Sequence, residues 1–158
     1  MDYRIKVAPP DLIMEPLLGI LDETEAVPLV ISGNSMAPFL VHGRDTVYLS
    51  KRRGPLKKGD MVLYQRTNGD YILHRILKTD HDSYTMVGDA QVRTEPGVRD
   101  HQIRAVVTAV LRKDKLLRSG CFLWDFFEKV WIRLVPLRPA AVGLYRVARR
   151  WFFCKGEL

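Results

Sequence analysis

Cysteine is scarce in this chain: Cys121 and Cys154 are the only two in 158 residues, both near the C-terminus and not in a Cys-x-x-Cys pair. That excludes a disulfide framework and a thiolate metal centre, and it fits a reducing compartment. Long apolar runs are also lacking. No stretch reaches the roughly 18–20 uninterrupted apolar residues that cross a bilayer. Residues 1–30 have no basic start followed by a continuous apolar segment, because acids and prolines break Leu12 to Leu21, which argues against a secretory signal. The expected place is cytoplasmic or peripheral to a membrane. No internal repeat or low-complexity tract appears, and no residue pattern calls for a metal or a cofactor.

What is present is the composition of a globular protein, 47% hydrophobic and 27% charged, in a chain long enough for one domain and an appendage. The excess of basic over acidic residues gives a net charge of +7, which suits an anionic membrane surface or nucleic acid. Residues 1–26 are too short for a three-helix DNA-binding domain, so nucleic acid is not the expected partner.

The spacing predicts a short helix over Asp11 to Glu25, with Asp11 as N-cap and Pro16 either starting or breaking it. From Val27 the pattern changes to strands and turns: Val27–Val30, Thr46–Leu49, Met61–Tyr64, Tyr71–Ile76, Tyr84–Val87 and Ile103–Leu111. The fold class expected is therefore mainly β, over residues 27–118. Lys51 to Lys58 reads as a basic surface loop. After Ser119 the chain turns aromatic and basic, with Trp124, Phe127 and Trp131 at helical spacings and Arg146, Arg149 and Arg150 further on. This tail, 119–158, is read as amphipathic helix suited to peripheral membrane attachment.

Ile31-Ser32-Gly33-Asn34-Ser35-Met36-Ala37-Pro38 holds the most suggestive chemistry. Gly33 allows a backbone conformation closed to other residues and Pro38 fixes the turn, so the Ser35 hydroxyl is held and backbone N–H groups can point where it attacks. A serine needs a base, and His74 is the candidate. Asn68-Gly69 signals a two-residue hairpin loop, which sets Leu63 opposite His74 and puts His74 on the face of Ile72 and Ile76. An imidazole on that apolar face has its pKa lowered and stays neutral near pH 7. His42, His81 and His101 lie among charged and turn residues and read as surface.

Four boxes in order, Ser32 to Pro38, Lys58-Gly59-Asp60-Met61-Val62, His74-Arg75-Ile76 and Gly88-Asp89, resemble those of the signal peptidase I and LexA-like serine peptidase superfamily. The likeness covers residues 27–111 and is nearest the histidine-base signal peptidases of archaea and the endoplasmic reticulum. It implies a coiled, partly closed β-barrel-like peptidase domain, with Ser35 as nucleophile, His74 as base, and Asp89 or Glu95 as the acid that orients the imidazole. It further implies an oxyanion site from the N–H groups of Ser35 and its neighbours, with Gly33, Asn34 and Met36 as the oxyanion and substrate-binding residues, Met36 lining the substrate groove, Arg75 in a structural role, and an extended peptide or leader segment as substrate. The alternatives are a non-cleaving peptide- or membrane-binding protein on the same fold and a self-cleaving LexA-like regulator.

Overall fold

The computed structural model describes residues 10–140. A helix, α1 (Pro10–Glu23), precedes eight strands: β1 (Val27–Val30), β2 (Asp45–Ser50), β3 (Met61–Gln65), β4 (Tyr71–Thr79), β5 (Ser83–Val87), β6 (Glu95–Arg99), β7 (Ile103–Arg112) and β8 (Lys115–Leu117). A helical turn, α2 (Phe122–Asp125), then leads into wider and tighter turns as far as Leu137. Among the described residues no helix is long and apolar enough to cross a membrane.

The strands form one antiparallel sheet in the order β1-β2-β7-β3-β4-β5-β6, with β8 paired to the far end of β7. The mainly β class expected from the sequence holds. The strand order is open, with β1 and β6 at its ends. Register shifts in the β2/β7, β3/β7, β4/β5 and β5/β6 pairs interrupt the ladders and bend the sheet.

Both faces of the sheet are buried. On one, Val47, Leu49, Met61, Leu63 and Val107 pack under Met14 and Leu21 of α1, Met36, Phe39 and Leu40 of the loop after β1, and Trp124 and Phe127. On the other, Val62, Tyr64, Ile76, Tyr84, Met86 and Val98 make a second cluster. Each large apolar side chain so buried contributes about 1.5–3 kcal/mol. Trp124 and Phe127, read in the sequence as part of an interfacial tail, are therefore core residues, while Phe122 and Leu137 are exposed. Arg146, Arg149, Arg150 and the rest of the tail lie outside the described residues.

Pro16 sits inside α1 and neither starts nor ends it. The larger departure concerns the hairpin of β3 and β4. Gly69 adopts φ 94°, its N–H donates to the Arg66 carbonyl at 3.0 Å, and Arg66 N–H donates to the Asp70 carbonyl at 2.9 Å. The loop is thus three residues, Thr67-Asn68-Gly69, ending in a left-handed glycine, rather than the two expected. His74 consequently pairs with Val62, not Leu63. Two strands escaped the sequence reading: β6, which contains Pro96 and Gly97, and the three-residue β8.

Candidate active site

The loop that carries Ser35 leaves β1 with Gly33 at φ 88°. It is fastened from several sides. Gly33 N–H donates to His42 Nδ1 at 3.2 Å, so His42, though exposed, holds the loop. Ile31 N–H donates to the Asp45 carbonyl at 2.9 Å, and Arg112 reaches both the buried Asp45 carboxylate and the Phe39 carbonyl. Met36 and Phe39 anchor it in the core, 3% and 0% exposed. Ser35 is half-buried, and within the described residues its N–H and that of Met36 donate to no backbone carbonyl.

His74 reaches the same place from β4. Strand alternation directs it to the face of Val62, Tyr64 and Ile76, where it is 4% exposed. Burial pulls its pKa down to about 4, against the raising influence of Glu95. Ser35 and His74 line one cleft of about 210 Å³ with Ile31, Gly33, Met36, Leu73 and Gln91. Beyond His74 a broader, open cleft of about 750 Å³ continues past Arg66, Gln91, Thr94 and Glu95.

Gly88 is the spacer between the two halves. A Cβ there would lie 2.5 Å from the Ser35 carbonyl oxygen and 3.0 Å from His74 Nε2, so a side chain at this position would push the Ser35 loop and the imidazole apart. Ala90 N–H donates to the Ser35 carbonyl at 2.9 Å and ties the turn to the loop.

The two candidate acids have different places. Asp89 faces away from His74: both of its oxygens accept from Arg75 Nε at 3.1 Å, and both side chains are fully buried. Arg75 also donates to the Gly59 carbonyl at 2.9 Å and lies over the Phe39 ring, 4.8 Å from its centroid. The expectation that Asp89 orients His74 is therefore corrected. Arg75 points to the opposite face of β4 from His74, and its acid goes with it. The structural role expected for Arg75 has its physical reason here, a buried tie between the Gly59 turn, the Gly88-Asp89 turn and the loop of Ser35.

Glu95, at the start of β6, approaches His74 through an intermediary. The Tyr64 hydroxyl donates to Glu95 Oε2 at 2.8 Å and lies 3.3 Å from His74 Nδ1. Arg66 grips the same carboxylate with Nε at 2.8 Å and Nη2 at 2.5 Å. The Arg66 bonds hold the Glu95 carboxyl below its ordinary value against its burial, helped by Tyr64. Burial and the adjacent carboxylate raise the Tyr64 hydroxyl well above its ordinary value, so it stays protonated.

Of the other residues singled out, Gly33 and Met36 line the cleft, Met36 as a core side chain that also forms its floor. Asn34 is exposed and outside that lining; its carbonyl accepts from Ala37 N–H at 3.1 Å and shapes the turn.

The sequence pattern gives no site role to Tyr64, Arg66 or Gln91, and places Trp131 and Arg138 only in the aromatic and basic tail. Arg138, 1% exposed, donates to the carbonyls of Gly88 at 2.7 Å and Gln91 at 2.8 Å, and Trp131 Nε1 donates to the Asp89 carbonyl at 2.9 Å. The C-terminal segment thus clamps the turn that separates Ser35 from His74. Tyr64 was findable from a three-residue hairpin loop, which turns it to the face of His74. No local signal marked Arg138.

Comparison of the chain with protein-family models, with curated proteins and with solved structures finds no match.

Proposed function

We propose that this protein is a serine endopeptidase of signal-peptidase-like type, cleaving an extended peptide or leader segment with Ser35 and His74. The observation that carries the reading is that Ser35 and His74, from a loop and a strand distant in sequence, line one cleft beside Gly88. The boxes that resemble the peptidase superfamily are the same ones that this arrangement uses.

The chemistry follows from the groups present. His74, neutral at pH 7, takes the proton of the Ser35 hydroxyl as Oγ bonds to the scissile carbonyl carbon. The oxyanion so formed is met by the free N–H groups at Ser35 and Met36. His74 then gives its proton to the leaving amine as the C–N bond breaks, and water repeats the sequence to release the acid and restore Ser35. The two clefts that His74 lines offer room for residues before and after the cut bond.

The test is a serine-reactive phosphonate probe and a peptide-cleavage assay on wild type, Ser35→Ala, His74→Ala and the double variant. The expected result is labelling of Ser35 in wild type alone, with losses that do not add because the two groups act as a unit. Cleavage surviving in Ser35→Ala would refute the proposal. Tight peptide binding without turnover or labelling would move the protein to the binding class.

A further inference from the structure

The Glu95, Tyr64 and His74 side chains form a chain in which each member's proton is assigned by the one before it. An ionised carboxylate only accepts hydrogen bonds, and Glu95 is kept ionised by the two bonds from Arg66. Tyr64 has one hydroxyl proton, and at 2.8 Å it goes to Glu95. What the Tyr64 oxygen then offers His74 is a lone pair. The facing atom, Nδ1 at 3.3 Å, must carry hydrogen to use it. A neutral imidazole has a single N–H, so Nε2 is left as the acceptor. Nε2 is also the atom that abuts Gly88, 3.0 Å from where a Cβ would stand, and the Ser35 carbonyl oxygen lies 2.5 Å from that same point.

We propose that Tyr64 is a positioning residue: its hydroxyl, oriented by Glu95, selects the Nδ1–H tautomer of His74 and so presents the Nε2 lone pair to the cleft that holds Ser35. The catalytic meaning rests on the peptidase reading above, whereas the tautomer does not. A histidine side chain in water favours the opposite, Nε2–H tautomer, so the relay does the choosing. It also does so at a distance, since the hydrogen-bonded path from the Glu95 carboxylate to His74 runs through the Tyr64 oxygen. The charged groups facing the ring are Glu95 and Arg66, paired with each other. When Nε2 takes up a proton, the imidazolium keeps its bond to the Tyr64 oxygen, with the Glu95 charge one residue behind it.

The experiment is two-bond ¹H–¹⁵N correlation of the histidine rings in the full chain at neutral pH, with His74 assigned by its loss in His74→Gln. The expected wild-type pattern is a protonated Nδ1 and an unprotonated Nε2. In Tyr64→Phe, which removes only an oxygen, the Nδ1–H pattern should be lost and kcat should fall about tenfold or more with KM little changed. A wild-type ring protonated on Nε2 would overturn the proposal whether or not the variant folds, and so would a Tyr64→Phe ring that keeps its Nδ1–H. The ring readout needs no turnover. A chain with the expected tautomer that cleaves no peptide would support the relay and remove the peptidase reading.

Discussion

Lowering the pH puts a measurable load on His74. The ring is 4% exposed, and its pKa falls from an ordinary 6.5 to about 4 in the fold because burial opposes the charged form. Above pH 6.5 it is neutral in both folded and unfolded states and contributes no pH dependence. As pH falls through the window from 6.5 to about 4, the unfolded chain takes up the proton first. Folding stability then declines by about 1.4 kcal/mol per unit, and the loss levels off below the folded value at about 3 kcal/mol in total. Other groups lose stability in the same direction: Glu95, held down by Arg66, and Asp45, held down against its burial by Arg44 and Arg112. The quantity that isolates the ring is therefore the difference between wild type and His74→Gln, which cannot titrate. Urea unfolding followed by tryptophan fluorescence, in steps from about pH 7.5 to about pH 4, measures it. Wild type should lose about 3 kcal/mol relative to the variant across that range. Parallel stability curves would show that the ring is not buried as neutral imidazole, and the argument for His74 as a ready base would go with it.

The same titration should appear in turnover: kcat/KM for a fluorogenic peptide should rise along a limb centred near pH 4, whereas a lysine base would give a limb well above neutral. Asp89→Asn should cost roughly 3–5 kcal/mol in urea unfolding, because it strands the buried Arg75 guanidinium. Glu95→Gln, at a half-exposed position, should lower kcat while changing stability by no more than about 1 kcal/mol; the reverse assignment of losses would return Asp89 to the catalytic role. Arg138→Met should lower stability by roughly 1–3 kcal/mol through the uncovered carbonyls of Gly88 and Gln91, and should lower kcat as the turn between Ser35 and His74 loosens. Full kcat with reduced stability would show that the clamp does not reach the site.

The residues themselves carried much of the site. Gly33, Pro38 and the apolar flanks of Ser35 marked a held loop, and the alternation of Ile72, His74 and Ile76 marked an imidazole facing inward, which is how it lies. Periodicity cannot count loop residues, however, and the register of the β3–β4 hairpin turns on that count. Met61 to Tyr64 is buried on both faces, so nothing in its pattern said which way the strand was turned. A third loop residue reversed it and brought Tyr64, rather than Leu63, to the face of His74.

Sequence alone determined the β-rich middle, the Ser35 loop and the inward histidine, because each rests on local conformational preference or a two-residue period. Tertiary structure decided the partners. Asp89 and Glu95 lie six positions apart and are chemically alike, yet one is buried against Arg75 and the other stands between Arg66 and Tyr64. Their roles depend on which face of β4 each turn meets. So does that of Arg138, whose reach to Gly88 exists only once the C-terminal segment has packed Trp124 and Phe127 into the core. A charged group takes its function from the charge or dipole that packing places beside it, and that neighbour is not written next to it in the chain.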